Sequence, residues 1–345
     1  MTKQKKTRII IAVSVLVVCI ILLLLVLFRK GRTYPLSYSE TSMYVPLSGG
    51  ELLELTEEGA VYRYGNDGKK TMLLESSDIS YIAAVYDDGT VYMVNLHEDG
   101  TLGVCEEFDF VEKEIGNLEK PVKTGLHPKG LVVMTEAGEL IEGELSEGWK
   151  AFYESEEETV KLAKVEGFSE GTDLATMILR ESVCFINDGQ VWVKGDFVGD
   201  LYEEYTKIPT DFYAKQVWNA GNTIFAMDDK DRLYEFGIAL DVNNYSIINK
   251  QFREVSSYGK PVAFHSFGES AIVLNENGNV HYFGLTVEGK ACDVSWGGIL
   301  PWLKNEKQVF FFGSYIYVLG EDYLYVRREV ANYFKIHFNP VSFLY

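Results

Sequence analysis

Cysteine, histidine and proline are all scarce in this chain, which has four, five and eight of them in 345 residues. Cys19 lies in a long apolar run, which leaves an odd number of cysteines, Cys105, Cys184 and Cys292, at wide spacing. We therefore expect no disulfide framework. Neither CxxC, nor HExxH, nor a pair of histidines at metal-ligand spacing occurs, so the sequence predicts no metal site and no cofactor.

Basic residues are also scarce, with 32 Lys and Arg against 51 Asp and Glu. Residues 1–32 contain seven basic residues and no acidic one, so residues 33–345 carry 25 basic against 51 acidic residues, a formal charge of −26. Because nucleic-acid binding depends mainly on Lys and Arg that neutralise phosphates, we expect no nucleic-acid partner. Cationic partners, divalent ions or simple solubility remain as roles for the negative charge.

Charge is missing altogether from residues 9–28, IIIAVSVLVVCIILLLLVLF. A helix of about 20 apolar residues crosses a hydrocarbon layer of roughly 30 Å, so we predict a transmembrane helix. No small-x-small cleavage site follows the run, which favours an uncleaved signal anchor over a cleaved signal peptide. Four basic residues precede the run and three follow it, which favours a short cytoplasmic tail at 1–8. A linker at 29–40 and an extracytoplasmic domain at 41–345 complete the predicted single-pass topology in the cell membrane.

Amphipathic helices are absent from the sequence pattern beyond this run, because no window sustains apolar residues at i, i+3, i+4 and i+7. Instead, seven segments repeat a short apolar strand, an acidic or Asn pair, a turn residue and a second strand. The turn residues, which we expect to be structural, are Gly59, Gly89, Gly138, Gly189, Asp231, Gly278 and Asp322. Their mean spacing of about 44 residues is the period of a four-stranded sheet. The pattern therefore predicts an all-β, seven-bladed β-propeller.

The two ends of the chain are predicted to close this ring. Residues 333–338 and 341–345 both alternate apolar and polar residues, and Asn339-Pro340 marks a turn between them. The last repeat already has its own hairpin before them, so these strands are surplus to it. We predict that they complete the first blade, which begins abruptly near residue 41.

Two stretches, NAGNTIFAMDDKDRLYEFG (219–237) and SFGESAIVLNENGNVHYFG (266–284), resemble the repeats of the regulator of chromosome condensation family. The resemblance implies a seven-bladed propeller. The family's nucleotide exchange and chromatin binding are not expected here, because the domain is acidic and lacks a basic tail. Bacterial proteins of this shape imply a different role, in which the loops on one face of the propeller grip a partner protein.

Four tryptophans are candidates for two different roles. Trp192 and Trp218 lie near repeat boundaries, where packing between blades is expected. Trp296 and Trp302 lie in the loop SWGGILPW, which is our candidate ligand-contact loop, because indoles are enriched at binding hot spots. We expect His281, which lies within a strand, to have no functional role.

No catalytic residue is predicted. GxSxG is absent, and the acidic runs at 154–158 and 228–231 do not match a calcium loop, so we expect solvated loops there. The leading hypothesis is a non-enzymatic, membrane-anchored propeller that binds a protein or a cell-surface polymer through one face. The alternative is a carbohydrate-active enzyme with paired carboxylates in the central channel. A sensor that signals through its single helix is a third and weaker hypothesis.

Overall fold

The computed structural model describes residues 31–88, 90–107, 109–177, 181–197, 200–238, 248–255, 260–268, 270–278, 280–285, 291–295, 305–312 and 315–328. The cytoplasmic tail at 1–8 and the membrane span at 9–28 are predictions that lie outside this part of the chain. Within it, no helix has the length and apolar character needed to cross a membrane.

The described strands form seven four-stranded antiparallel sheets. In chain order, β1 (Arg32–Pro35) is followed by β2 (Met43–Pro46), β3 (Leu52–Leu55), β4 (Val61–Tyr64) and β5 (Lys70–Leu74) of sheet 1, and by β6 (Ile79–Asp87), β7 (Thr90–His97), β8 (Thr101–Glu106) and β9 (Lys113–Asn117) of sheet 2. Sheet 3 consists of β10 (Pro121–His127), β11 (Gly130–Thr135), β12 (Leu140–Glu144) and β13 (Lys161–Lys164). Sheet 4 consists of β14 (Gly171–Thr176), β15 (Val183–Asn187), β16 (Gln190–Phe197) and β17 (Asp200–Ile208).

The second half of the chain continues this order. Sheet 5 consists of β18 (Ala214–Ala220), β19 (Thr223–Asp228), β20 (Leu233–Ile238) and β21 (Ile248–Glu254). Sheet 6 consists of β22 (Pro261–Phe267), β23 (Ser270–Asn275), β24 (Val280–Leu285) and β25 (Ala291–Ser295). Sheet 7 combines β26 (Glu306–Phe312), β27 (Tyr315–Gly320) and β28 (Tyr323–Arg328) with β1 from the start of the chain.

The first strands of the sheets contact one another around a ring. These inner strands are β2, β6, β10, β14, β18, β22 and β26, each contacts the next, and β26 contacts β2. Since the other three strands of each sheet follow outward in order, the sheets radiate from a common axis. This arrangement is a β-propeller, and the predicted all-β propeller fold is confirmed.

Ring closure differs from the prediction. Sheet 1 has four strands of its own, so it needs no strand from residues 333–345, which lie outside the described residues. The exchanged strand is β1, which pairs with β28 as the outer strand of sheet 7. Part of the expected linker at 29–40 is therefore a strand, and its Tyr34 is buried. A four-residue strand that ends in proline gives little sequence signal, yet proline is tolerated at a sheet edge.

The middle strands are buried on both faces because each sheet packs between two neighbours. All six residues of β11 and of β19 are buried, which explains their continuous apolar runs. Aromatic residues pack between adjacent sheets. The rings of Trp218 and Phe264 lie 4.5 Å apart. Trp192 of sheet 4 meets Phe168, in the link from sheet 3, edge-on at 5.1 Å, and packs in one cluster with Met134 and Leu140 of sheet 3. The predicted packing roles of Trp192 and Trp218 are confirmed.

The link between β12 and β13 contains α1 (Trp149–Glu154), which packs across sheets 2 and 3. Its Trp149 is fully buried, and the indole Nε1 donates to the His127 carbonyl at 2.8 Å. The Lys113 ammonium donates to three carbonyl groups in this link, those of Phe152, Ser155 and Glu158. The acidic run at 154–158 is therefore partly ordered by a lysine of the neighbouring sheet.

Candidate binding face

One end of every sheet carries the turn between the second and third strands and the link to the next sheet. We call this end the turn face. Backbone hydrogen bonds join the two kinds of segment: Glu98 donates to Asp78 at 2.8 Å, and Gly171 donates to Gly138 at 3.0 Å. The described segments of the turn face are 36–42, 56–60, 75–78, 98–100, 118–120, 136–139, 165–170, 188–189, 209–213, 229–232, 255, 260, 276–278, 305 and 321–322.

A four-residue turn recurs in five of these segments. The carbonyl of its first residue accepts the N–H of its fourth residue at 2.9–3.2 Å, and the fourth residue has positive φ, which favours glycine. The turns are Thr56–Gly59, His97–Gly100, Thr135–Gly138, Asp228–Asp231 and Asn275–Gly278. The repeat pattern in the sequence marks the fourth position of this turn but not the first.

The first residue of the turn also contributes its side chain. Thr56 Oγ1 accepts the Ala60 N–H at 3.1 Å, and Thr135 Oγ1 accepts the Glu139 N–H at 3.2 Å. A Thr, Asp or Asn at this position satisfies a backbone donor that would otherwise compete for other partners. The signal that was available in the sequence is therefore a hydrogen-bonding residue three positions before the glycine.

Three of the seven predicted turn positions do not have this geometry. Gly89, itself outside the described residues, falls in the link between β6 and β7, at the opposite end of sheet 2. The equivalent turn of sheet 2 ends at Gly100, which explains the short first spacing in the repeat. Asp322 lies on the turn face but does not have positive φ. In sheet 4 the link is only Asp188-Gly189, both with positive φ, as in a two-residue type I′ hairpin.

Six inner strands carry an irregular register directly after their first residue, which leaves one extra residue at the turn face. Such β-bulges re-aim side chains and are common beside functional sites. We call the six extra residues the collar: Ser80, Val122, Thr172, Lys215, Val262 and Lys307. All but Lys307 are exposed. The collar was not predicted, and its faint sequence signal is the repeated KPV at 120–122 and 260–262.

A polar bridge lies directly below the collar and joins three consecutive inner strands, β10, β14 and β18. Lys123 pairs with Asp173, whose second oxygen accepts the Val217 N–H at 2.8 Å. Burial alone would lower the pKa of Lys123, but the charges of Asp173 and Tyr81 outweigh it and raise that pKa. Burial also raises the pKa of Tyr81, on the strand before. The bridge therefore fixes the base of the collar.

The turn face is strongly negative. Its described segments contain nineteen Asp and Glu residues and only four Lys and Arg. Asp231 accepts two lysines, Lys215 at 2.5 Å and Lys260 at 2.7 Å, and these hydrogen bonds lower its pKa to about 2. Three of the four cations in these segments, Lys120, Arg232 and Lys260, are thus paired with nearby carboxylates, and a large negative excess remains.

The acidic run at 228–231 is only partly the solvated loop that we expected, because its first residue is buried. Asp228 is fully buried and accepts the N–H groups of Lys230 at 2.9 Å and Arg232 at 2.8 Å. Its second oxygen pairs with the Arg232 guanidinium at 2.7 Å. Asp228 therefore shapes the turn from inside rather than facing solvent.

The two tryptophans of the candidate ligand-contact loop and the side chain of His281 cannot be assigned a contact. Trp296 and Trp302 lie outside the described residues, in the link between β25 and β26, and the ends of both strands that flank this link are at the turn face. The His281 side chain is not described either.

Within the described part of the chain, no group of three or more acidic, His or Cys residues has metal-site geometry. The five buried carboxylates described there each pair with a Lys or Arg: Glu51, Glu54, Asp173, Asp228 and Glu235.

Solved structures of other proteins share this arrangement. Prp20p of Saccharomyces cerevisiae, the yeast RCC1, superposes with a TM-score of 0.57 at 10% sequence identity, over 83% of this chain and 82% of its own. The chain has an RCC1-like propeller fold. PorZ of Porphyromonas gingivalis matches with a TM-score of 0.55 at 12% identity, over 87% of this chain and 38% of PorZ. A streptogramin B lyase matches with a TM-score of 0.52 at 7% sequence identity, over 87% of this chain and 98% of the lyase.

These likenesses concern the fold alone, because every identity is low. No protein-family model matches the sequence, and no curated protein matches it. Prp20p is described by its binding to Gsp1p and histones, and PorZ as an essential bacterial surface component of a type-IX secretion system. The lyase is an enzyme, so structures that resemble this propeller include both binding proteins and an enzyme, and the fold alone does not decide between them.

Proposed function

We propose that this chain is a non-enzymatic, membrane-anchored propeller whose turn face binds a partner protein outside the cytoplasmic membrane. Each of the seven sheets is one blade of the ring in this proposal. The binding of Prp20p to Gsp1p and histones, and the bacterial surface location of PorZ, support it as precedents for the fold.

The observation that carries the proposal is the path of the chain into the ring. Arg32 pairs with Val326, and Pro35 pairs with Tyr323 beside the turn of sheet 7, so β1 enters from the end opposite the turn face. Only residues 29–31 separate it from the apolar run at 9–28, and three residues reach at most about 10 Å. An anchor at 9–28 therefore holds the opposite face near the bilayer and leaves the turn face free.

The construction of the turn face fits a docking role. Short links joined by backbone hydrogen bonds hold the collar in place, and the polar bridge fixes its base. A surface that is ordered before binding loses less conformational entropy when a partner docks, which favours affinity. The engagement of every described buried carboxylate by a cation supports this reading over acid–base catalysis, because paired groups serve the fold.

A photo-crosslinking residue tests the proposal in the full-length protein in its native membrane. We expect a crosslinker at Thr172, in the collar, to capture a discrete protein, and a crosslinker at Val111, exposed on the opposite face, to capture none. The V122D/V262D variant should abolish capture from Thr172. Equal capture from both positions, or capture that survives V122D/V262D, contradicts the proposed face.

Two further measurements test the other parts of the proposal. A periplasmic-type phosphatase fused after Tyr345 is expected to be active, and an inactive fusion contradicts the extracytoplasmic location. Purified protein is expected to leave cell-surface glycans intact. Glycan turnover that is lost in D173N would replace the binding role with the enzymatic alternative.

A further inference from the structure

The collar has exposed apolar side chains at equivalent positions of two sheets. Val122 and Val262 each occupy the extra residue of the bulge in KPV, and they are 45% and 56% exposed. Tyr213, directly before β18 and on the same face, is 53% exposed. Single exposed apolar residues are ordinary on a protein surface. Here, however, bulges hold a repeated pair of them at the mouth of the ring, where they contribute little to the core.

The surface around the collar is strongly negative. Negative residues outnumber positive ones nineteen to four in the described turn-face segments. Three of the four cations are already paired with carboxylates: Lys120 with Glu136 at 2.9 Å, Arg232 with Asp228 at 2.7 Å, and Lys260 with Asp231 at 2.7 Å. A partner that brings Lys and Arg would meet carboxylates on every side of the collar. Complementary charge of this kind steers association and selects partners.

The opposite face is acidic too, so charge alone does not select the site. The described links there contain twelve acidic and three basic residues. What distinguishes the turn face is the ordered collar, together with its distance from the point where the chain enters the ring. The described residues also lack a metal-site cluster, which disfavours a divalent ion as the occupant.

We infer that the collar seats an extended basic segment of a partner protein, with apolar side chains against Val122 and Val262 and Lys or Arg side chains among the surrounding carboxylates. This inference rests on the proposed function and names the chemistry of its partner. An alternating segment fits because successive side chains of an extended chain point to opposite sides. Its apolar side lies on the collar, and its basic side chains reach outward to the acidic links.

A fluorescent peptide of alternating Lys and Val provides the probe, and anisotropy with the full-length protein in detergent micelles provides the measurement. Two control peptides replace Val by Ser or Lys by Glu. We expect the Lys-Val peptide to bind at least about tenfold more tightly than either control, because the controls lack one half of the recognition. Its affinity should fall between about 0.05 M and about 0.5 M salt, as the Debye length shortens.

Matched protein variants locate the site. V122S/V262S should weaken binding at least about fivefold, whereas V111S/L201S, which changes two exposed apolar residues away from the turn face, should change it by less than about twofold. E119Q/E170Q/D211N should weaken binding more than E147Q/E156Q/E157Q, which removes the same number of exposed charges from the link that contains α1. Thermal melts check that each variant is folded.

Three outcomes overturn the inference. The first is equal weakening by the two charge triples, which would show attraction to negative surface in general. The second is equal binding of the Lys-Ser peptide, which would leave the collar valines without a role. The third is an absence of binding. If the Thr172 crosslinker still captures a protein in that third case, the proposed function stands and only the basic character of its partner is wrong.

Discussion

The two ends of the propeller are built differently from the same strands. The described links of the turn face are at most seven residues long, and backbone bonds tie them together. The opposite face has a sixteen-residue link with α1 and receives the chain through β1. The end with short, tied links is the one suited to present a fixed surface.

The strand that closes the ring should be the most sensitive part of the molecule. Tyr34 in β1 is buried, donates its hydroxyl to the Asn66 carbonyl, and lies against Gly68 of sheet 1. We expect Tyr34→Ala to lower the free energy of unfolding by about 3–5 kcal/mol, because it removes a buried aromatic ring. Chemical denaturation of the whole domain provides the measurement.

The control for Tyr34 is Met72→Ala. Met72 lies in β5, an outer strand like β1, but it is 52% exposed. We expect a change within about 0.5 kcal/mol, as for most surface substitutions. Similar losses in the two variants would show that β1 does not close the ring.

A substitution in the link that contains α1, on the opposite face, should unfold that link without unfolding the sheets. Trp149→Ala removes a fully buried indole and its bond to the His127 carbonyl, which costs about 3–5 kcal/mol at the site. Because α1 sits in a link outside the sheets, we expect the link to open while the sheets remain folded. Cleavage by a glutamate-specific protease at 154–158 should increase strongly, with a smaller shift in the melt than for Tyr34→Ala. A cooperative loss of the whole propeller would contradict this.

The sequence was sufficient to predict the all-β propeller, because the glycine turns and alternating strands repeat at a regular period. It misplaced Gly89, since VYDDGTVYM has a Tyr three residues after its Gly, as LTEEGAVYRYG of the first repeat does, whereas HEDGTLGV at 97–104, the true counterpart, has none. The collar was not predicted, because a one-residue bulge leaves the apolar pattern of the strand nearly unchanged. The polar bridge was not predicted either, because Lys123 and Asp173 come together only when the inner strands pack side by side.

A turn-face substitution with a smaller effect is Asp228→Asn. The change keeps the shape of the side chain and removes its charge, so the charge-assisted bonds to Arg232 weaken; we expect a loss of about 1–3 kcal/mol. Asp229→Asn, at the exposed neighbour, should have little effect. Equal losses in the two variants would contradict a role for Asp228 inside the turn.

Low pH should remove the contribution of Asp228 to the stability of the folded protein. Burial alone would raise its pKa, but the hydrogen bonds from Arg232 outweigh burial and lower that pKa. Its stabilisation is therefore complete above the unfolded value of about 4 and is lost as the pH falls through the lower folded value. The difference in stability between the wild type and Asp228→Asn should shrink as the pH is lowered below about 4.

The smallest predicted effect concerns His97, which starts the turn of sheet 2. Its ring bonds to Asp78 at 2.8 Å and to Glu112 at 2.7 Å. Burial alone would lower the pKa of His97, but these two carboxylates outweigh it and raise that pKa. The stabilisation is therefore complete below the unfolded value of about 6.5 and is lost as the pH rises through the higher folded value.

His97→Gln should flatten the decline in melting temperature that the wild type shows as the pH rises above about 6.5. The partly exposed site limits the effect to less than about 1 kcal/mol. The control is His127→Gln, at the end of inner strand β10 on the opposite face. Burial lowers the pKa of His127 to about 4, so this histidine is neutral in both the folded and the unfolded state above pH ~7. It should lower the melting temperature without changing the slope in that range. If His97→Gln keeps the wild-type slope, the two carboxylates do not hold a protonated His97, and the turn of sheet 2 depends on its backbone bonds alone.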